Sequence, residues 1–76
     1  MSDQSERVQA VFAAILKRPV GAEEEITRED EKGWDSLKQM ELIFAFEEEF
    51  GIEFTENDMA GLDSRAKFTA RIMELL

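Results

Sequence analysis

The stretch that decides the fold is residues 33–54, GWDSLKQMELIFAFEEEFGIEF. Leu37, Met40, Ile43, Phe44 and Phe50 fall near one helical face, and Leu42, Phe46 and Phe50 follow at i, i+4 spacing. The apolar face of the helix is therefore wide. Ser36 with Gln39 has the S-x-x-Q form of a capping box, which predicts a helix beginning at Ser36. Gly51 is placed to end that helix in the left-handed conformation. Glu47, Glu48 and Glu49 occupy its last turn, where the helix dipole favours Lys or Arg instead. A sequence that breaks a local rule often does so for function.

Upstream, Val8, Val11, Phe12 and Ile15 recur at helical spacing. Asp3 or Ser5 suits the start of this helix, Lys17 and Arg18 suit its end, and Pro19 stops it, giving a helix over 4–17. Residues 19–35 carry Pro19, Gly21, Gly33 and many charges, and they read as a long loop that Ile26 pins to the core. Loops of that length inside a small domain are uncommon and often functional. For Trp34, simple packing, such as resting on this loop, is expected.

Downstream, Ile52 and Phe54 are expected to be buried in a short linker. Thr55 and Asp58 form the acidic variant of the capping box ahead of a brief helix that Gly61 ends. Asp63 or Ser64 caps a last helix with Phe68, Ile72, Met73, Leu75 and Leu76 on its apolar side. The expected core is Met40, Leu42, Ile43, Phe46, Phe50, Ile52, Phe54, Ala60, Leu62, Phe68 and Ile72. The predicted fold is all-α: a four-helix bundle of three main helices, one short helix and a long first loop, in a single domain over 1–76.

The 76 residues include no cysteine and no histidine. That excludes disulfides, zinc sites of the Cys/His type, and nucleophile systems that need a histidine base. Gly33 and Gly61 both fail as the sixth residue of an EF-hand loop, because Arg28 and Lys67 would then fall on ligand positions. No P-loop or dinucleotide-binding glycine pattern occurs, and no metal site is expected. No apolar run approaches the ~20 residues of a membrane span. The first ten residues lack the basic and apolar regions of a signal peptide, so a soluble, cytoplasmic monomer is expected.

The net charge of −9 is unevenly spread. Residues 19–58 hold fourteen acidic and three basic side chains, while the flanking segments are nearly neutral. Such a field disfavours nucleic acid and anionic membranes as partners and favours proteins with basic docking patches. Carboxylates alone can do acid–base work, but no pocket-like cluster is evident, and no enzymatic activity is expected.

Ser36 is the residue with chemical potential. As half of a capping box it needs no function beyond structure, and Asp63-Ser64 has a similar explanation. What sets Ser36 apart is its context, after Gly33 and a long acidic loop and at the head of a helix acidic on its exposed side. A hydroxyl there suits attachment of a phosphodiester, since free N–H groups and the dipole favour an anion.

Asp35-Ser36-Leu37 followed by MELI…EEEFGI at this spacing resembles the prosthetic-group region of the acyl carrier protein family. Length, helix order, long first loop and acidic second helix extend the likeness over nearly the whole chain. The resemblance implies that Ser36 receives 4'-phosphopantetheine from coenzyme A through a phosphopantetheinyl transferase, with Asp35 and Leu37 flanking the attachment point. The arm's thiol would carry an acyl or aminoacyl thioester, so the cofactor supplies the thiol that the chain lacks. It further implies that Asp35, Glu41, Glu47 and Glu48 dock onto basic patches of partner enzymes, among them an acyl-loading ligase or synthase and acyl-transfer enzymes. Lys32, Lys38 and Arg65 depart from the pattern of fatty-acid carriers. They point to a carrier of a specialised lipid or secondary-metabolite pathway, with D-alanyl-type aminoacyl carriers as the nearest alternative. From another class, the rival is an acidic helical interaction domain with no prosthetic group.

Overall fold

The computed structural model describes residues 3–76 and contains four helices: α1 (Asp3–Leu16), α2 (Ser36–Phe50), α3 (Glu56–Gly61) and α4 (Arg65–Leu75). The fold is the expected all-α bundle. Its Cα radius of gyration is 11.2 Å, close to the ~11 Å of a fully compact chain of this length. The long first loop therefore lies against the bundle and does not extend from it.

Each helix boundary has a local cause. Pro19 disfavours helical backbone at Arg18, and α1 closes before it, with Lys17 in the left-handed region at φ 60°. The helix is thus one residue shorter at this end than its sequence predicts. Ser5 lies inside α1 and does not start it; a capping role for the Asp3 side chain falls outside the described side chains. Gly51, at φ 65° and ψ 40°, ends α2 as expected. Thr55 and Asp58 form the reciprocal capping box at α3. Gly61 is the last helical residue and keeps a negative φ; Leu62 takes the capping position. Ser64 caps α4, its side chain accepting the backbone N–H of Lys67.

Aromatic rings fill the centre. Phe12, Phe46 and Phe68 have no exposed surface, and the ring of Phe12 lies 5.5 Å from Phe46 and 5.8 Å from Phe68. Phe46 and Phe68 are 5.0 Å apart. Trp34 is buried and packs on Phe12 and Phe68, as expected for simple packing. Such pairs each add about 0.5–1.5 kcal/mol beyond area burial. Of the expected core, Met40 and Ala60 lie at the surface. On the last helix's expected apolar side, Met73 and Leu76 are also exposed. Both α2 and α4 carry more apolar residues than one packed face accepts.

The loop is stapled to the start of α4. Ile26 is buried, and backbone bonds run from Arg65 N to Ile26 O (2.7 Å) and from Arg28 N to Asp63 O (2.8 Å), forming an isolated bridge between Thr27 and Ser64. Arg65 itself is buried, and its guanidinium donates to the carbonyls of Gly21, Glu24 and Ala22 at 2.8–2.9 Å. At the other end of the loop, Arg18 pairs with Glu24 and Glu31. These carboxylates raise the Arg18 pKa above its ordinary value.

Candidate functional site

The start of α2 settles what Ser36 does locally. Asp35 is the N-cap: its carboxylate accepts the backbone N–H of Lys38 at 2.9 Å. Ser36 is the first helical residue, one position too late to cap, so the S-x-x-Q capping box read from the sequence does not form. Gln39 turns inward. Its carbonyl oxygen accepts the indole N–H of Trp34 at 2.7 Å, and its amide nitrogen donates to the carbonyls of Met59 and Leu62 at 3.0 Å. Gln39 thereby ties α2 to the end of α3.

The Ser36 hydroxyl is left exposed and free of capping duty. Its partner is the guanidinium of Arg28, which donates to Oγ at 3.2 Å. The second Asp-Ser pair contrasts with it: Ser64 is buried, and its Oγ accepts the Lys67 N–H at 3.1 Å. Of the two serines, only Ser36 presents its oxygen to solvent without a backbone bond to maintain.

The acidic residues of α2 have unequal circumstances. Glu41 pairs with Lys38 at 3.1 Å. Glu47 is half-buried and accepts the backbone N–H of Phe54 at 2.9 Å. Glu49 pairs with Arg7 of α1 at 2.7 Å, and the same guanidinium lies 4.4 Å over the ring of Phe50. Glu48 is exposed and has no ion pair among the described residues.

Leu37, Met40 and Phe44 are 66%, 36% and 58% exposed. At 3.6 residues per turn they form one stripe running from Ser36 down α2, roughly half a turn from the buried Leu42, Ile43, Phe46 and Phe50. Glu41 and Glu48 border the stripe on one side and Glu47 on the other. The surplus of apolar residues on α2 was the available signal. Periodicity alone did not say which stripe the other helices cover. Arg28 carried no sequence signal, since nothing local ties it to Ser36.

A shallow groove elsewhere is lined by Ala22, Glu23, Glu24, Glu25, Arg65, Ala66 and Thr69. Its cation is already committed to loop carbonyls, and Ser36 does not line it. Among the described residues, no group of acidic side chains is spaced to hold a metal ion, and no helix is long and apolar enough to cross a membrane.

A family described as the phosphopantetheine attachment site matches residues 6–72 of the chain. A protein of Zymomonas mobilis described as an acyl carrier protein is 38% identical over 60 residues, covering 78% of this chain and 77% of the relative.

Proposed function

Because the chain belongs to the acyl carrier protein family, a family of carriers and not enzymes whose cofactor is covalent 4'-phosphopantetheine, we propose that Ser36 bears the arm. The observation that carries this is the exposed Ser36 Oγ, relieved of capping by Asp35 and, among the described residues, hydrogen-bonded to a cation. The residues present fit the group: the hydroxyl is accessible, Leu37 beside it is exposed, and a guanidinium stands ready for the phosphate. In the modification, Oγ gains a bond to phosphorus and loses its proton, while the pyrophosphate bond of coenzyme A breaks and the nucleotide leaves. The bound arm supplies a thiol for thioester chemistry, and this chain's residues present it.

Asp35, Glu41, Glu47 and Glu48, with the apolar stripe of Leu37, Met40 and Phe44, make the face on which partner enzymes dock. The partners are a phosphopantetheinyl transferase and acyl-handling enzymes with basic patches around an apolar spot. Charge speeds and orients the encounter, and the exposed stripe adds apolar burial on contact. Glu48 has the clearest docking role, since no partner within the described residues occupies it.

The cargo belongs to a specialised pathway. Support comes from the ring cluster of Phe12, Phe46 and Phe68, which fills the bundle centre at 5.0–5.8 Å spacing. A long alkyl chain entering there must displace close-packed rings. The filled core suits small cargo, including an aminoacyl group of the D-alanyl type, or cargo held outside the bundle.

Intact mass after incubation with coenzyme A and a broad-specificity transferase tests the reading. A gain of one phosphopantetheine, absent in Ser36→Ala, is expected. A folded protein that stays unmodified even with its own organism's transferase favours the acidic interaction domain.

A further inference from the structure

We propose that Arg28 is the phosphate partner of the arm, its guanidinium holding the phosphodiester formed on Ser36 Oγ. The inference rests on Ser36 as the attachment point and deepens that reading.

Arg28 is one of three cations in the acidic segment 19–58, beside Lys32 and Lys38. Lys38 is already paired with Glu41. Arg28 sits in a run of carboxylates, Glu29, Asp30 and Glu31, yet among the described residues its guanidinium forms no ion pair within 4 Å. It reaches instead to an uncharged hydroxyl, eight residues on, at 3.2 Å. A guanidinium has five N–H donors in a fixed fork. One contact to a neutral oxygen leaves most of them unused.

The backbone places this side chain firmly. Arg28 N is bonded to Asp63 O at 2.8 Å, and Arg65 N holds Ile26 O two residues earlier. The buried Ile26 and the Arg65 clamp on Gly21, Ala22 and Glu24 fix the loop just before Arg28, and Asp30 N and Glu31 N bond back to Thr27 O just after it. Arg28 therefore approaches Ser36 from an anchored segment.

Modification converts the neutral Oγ into an ester oxygen of an anion. The same donor then meets phosphate oxygens, and the weak bond becomes a charge-assisted pair of the type in which arginine excels. Arg28 so positions the root of the arm, while the thiol end stays free to move. It also offsets the added negative charge within a segment already rich in carboxylates.

The test compares apo and modified protein by NMR, with intact mass confirming the modification. On modification, the side-chain N–H resonances of Arg28 are expected to shift. The ³¹P resonance of the arm is expected to move in Arg28→Gln and to recover partly in Arg28→Lys. Unchanged Arg28 side-chain resonances in the wild-type protein on modification overturn the proposal, and this comparison requires no variant to fold. Identical ³¹P shifts in wild type and Arg28→Gln overturn it as well. A wild-type protein that gains no group at Ser36 instead overturns the attachment reading, an outcome that the mass spectrum separates from the other two.

Discussion

The carboxylate of Glu47 accepts the backbone N–H of Phe54 at 2.9 Å, folding the linker after α2 back onto the helix end. The backbone carbonyl of the same residue accepts from Gly51 and Ile52 at 2.9 and 3.2 Å. One of the three glutamates that oppose the helix dipole is thus a structural fastening. Glu49 is tied to Arg7 of α1. Only Glu48 is left without a partner among the described residues, and the dipole penalty there goes with an exposed charge beside an exposed apolar stripe.

The glutamates can be separated by experiment. Glu47→Ala removes the acceptor for a loop N–H and is expected to cost about 1 kcal/mol in urea denaturation, with Glu47→Gln costing less because an acceptor oxygen remains. Glu48→Lys is expected to leave stability within about 0.5 kcal/mol. It should nevertheless slow modification by a transferase roughly 3- to 10-fold at low ionic strength, an effect that fades with added salt. An unchanged rate for folded Glu48→Lys removes Glu48 from the docking face.

At the start of α2, Asp35→Ala is expected to lower apo-protein stability by about 0.5–2 kcal/mol, the cost of a lost N-cap. Ser36→Ala should cost less than about 0.5 kcal/mol, as an exposed substitution away from any backbone bond. Thermal unfolding of the two variants side by side checks this. The reverse order would restore Ser36 as the cap and weaken the case for its free hydroxyl.

The loop clamp predicts a larger effect. Arg65→Ala leaves the carbonyls of Gly21, Ala22 and Glu24 without their charged donor, and a loss of about 2–4 kcal/mol is expected. Arg65→Lys should recover only part of this, because an ammonium does not reproduce the planar fork. Hydrogen exchange of the Arg28 amide, bonded to Asp63, should quicken in Arg65→Ala. Unchanged protection contradicts the clamp.

Stability should also depend on pH through Asp58. Burial opposes ionisation of this carboxyl, but the Thr55 N–H and the Arg71 guanidinium outweigh it and hold the pKa below the usual Asp value. The unfolded chain therefore binds its proton at higher pH than the folded chain does. Stability rises with pH across that window, is complete above about pH 5 and is lost as pH falls through the lowered folded value. Denaturation of wild type should steepen on acidification from about pH 5 to about pH 3 more than that of Asp58→Asn. Parallel pH profiles contradict this assignment.

What the sequence made legible is what adjacent residues decide. Gly51, the Thr55–Asp58 box and the Ser64 cap obey rules that span four residues, and each forms as expected. Ile26 was the main apolar residue of its stretch and had to go inward. The cap of α2 was displaced by one residue because Asp and Ser cap about equally well. Only the backbone geometry distinguishes them. Gln39, Arg65 and Arg28 were not legible as contacts. The Arg65 bonds cross 41 to 44 residues, and no periodicity encodes a polar pairing at that separation. Met40 and Ala60 have the spacing of core residues yet lie at the surface, because apolar spacing does not reveal which stripe of a helix its neighbours leave uncovered.

Of the two Asp-Ser pairs, the one with the exposed serine is proposed to carry the arm. Fragmentation mass spectrometry of the protein, modified with coenzyme A and a transferase and then digested, tests it most directly. Phosphopantetheine is expected on Ser36 alone, with the peptide containing Ser64 unmodified. The group on Ser64, or on any residue other than Ser36, would contradict it.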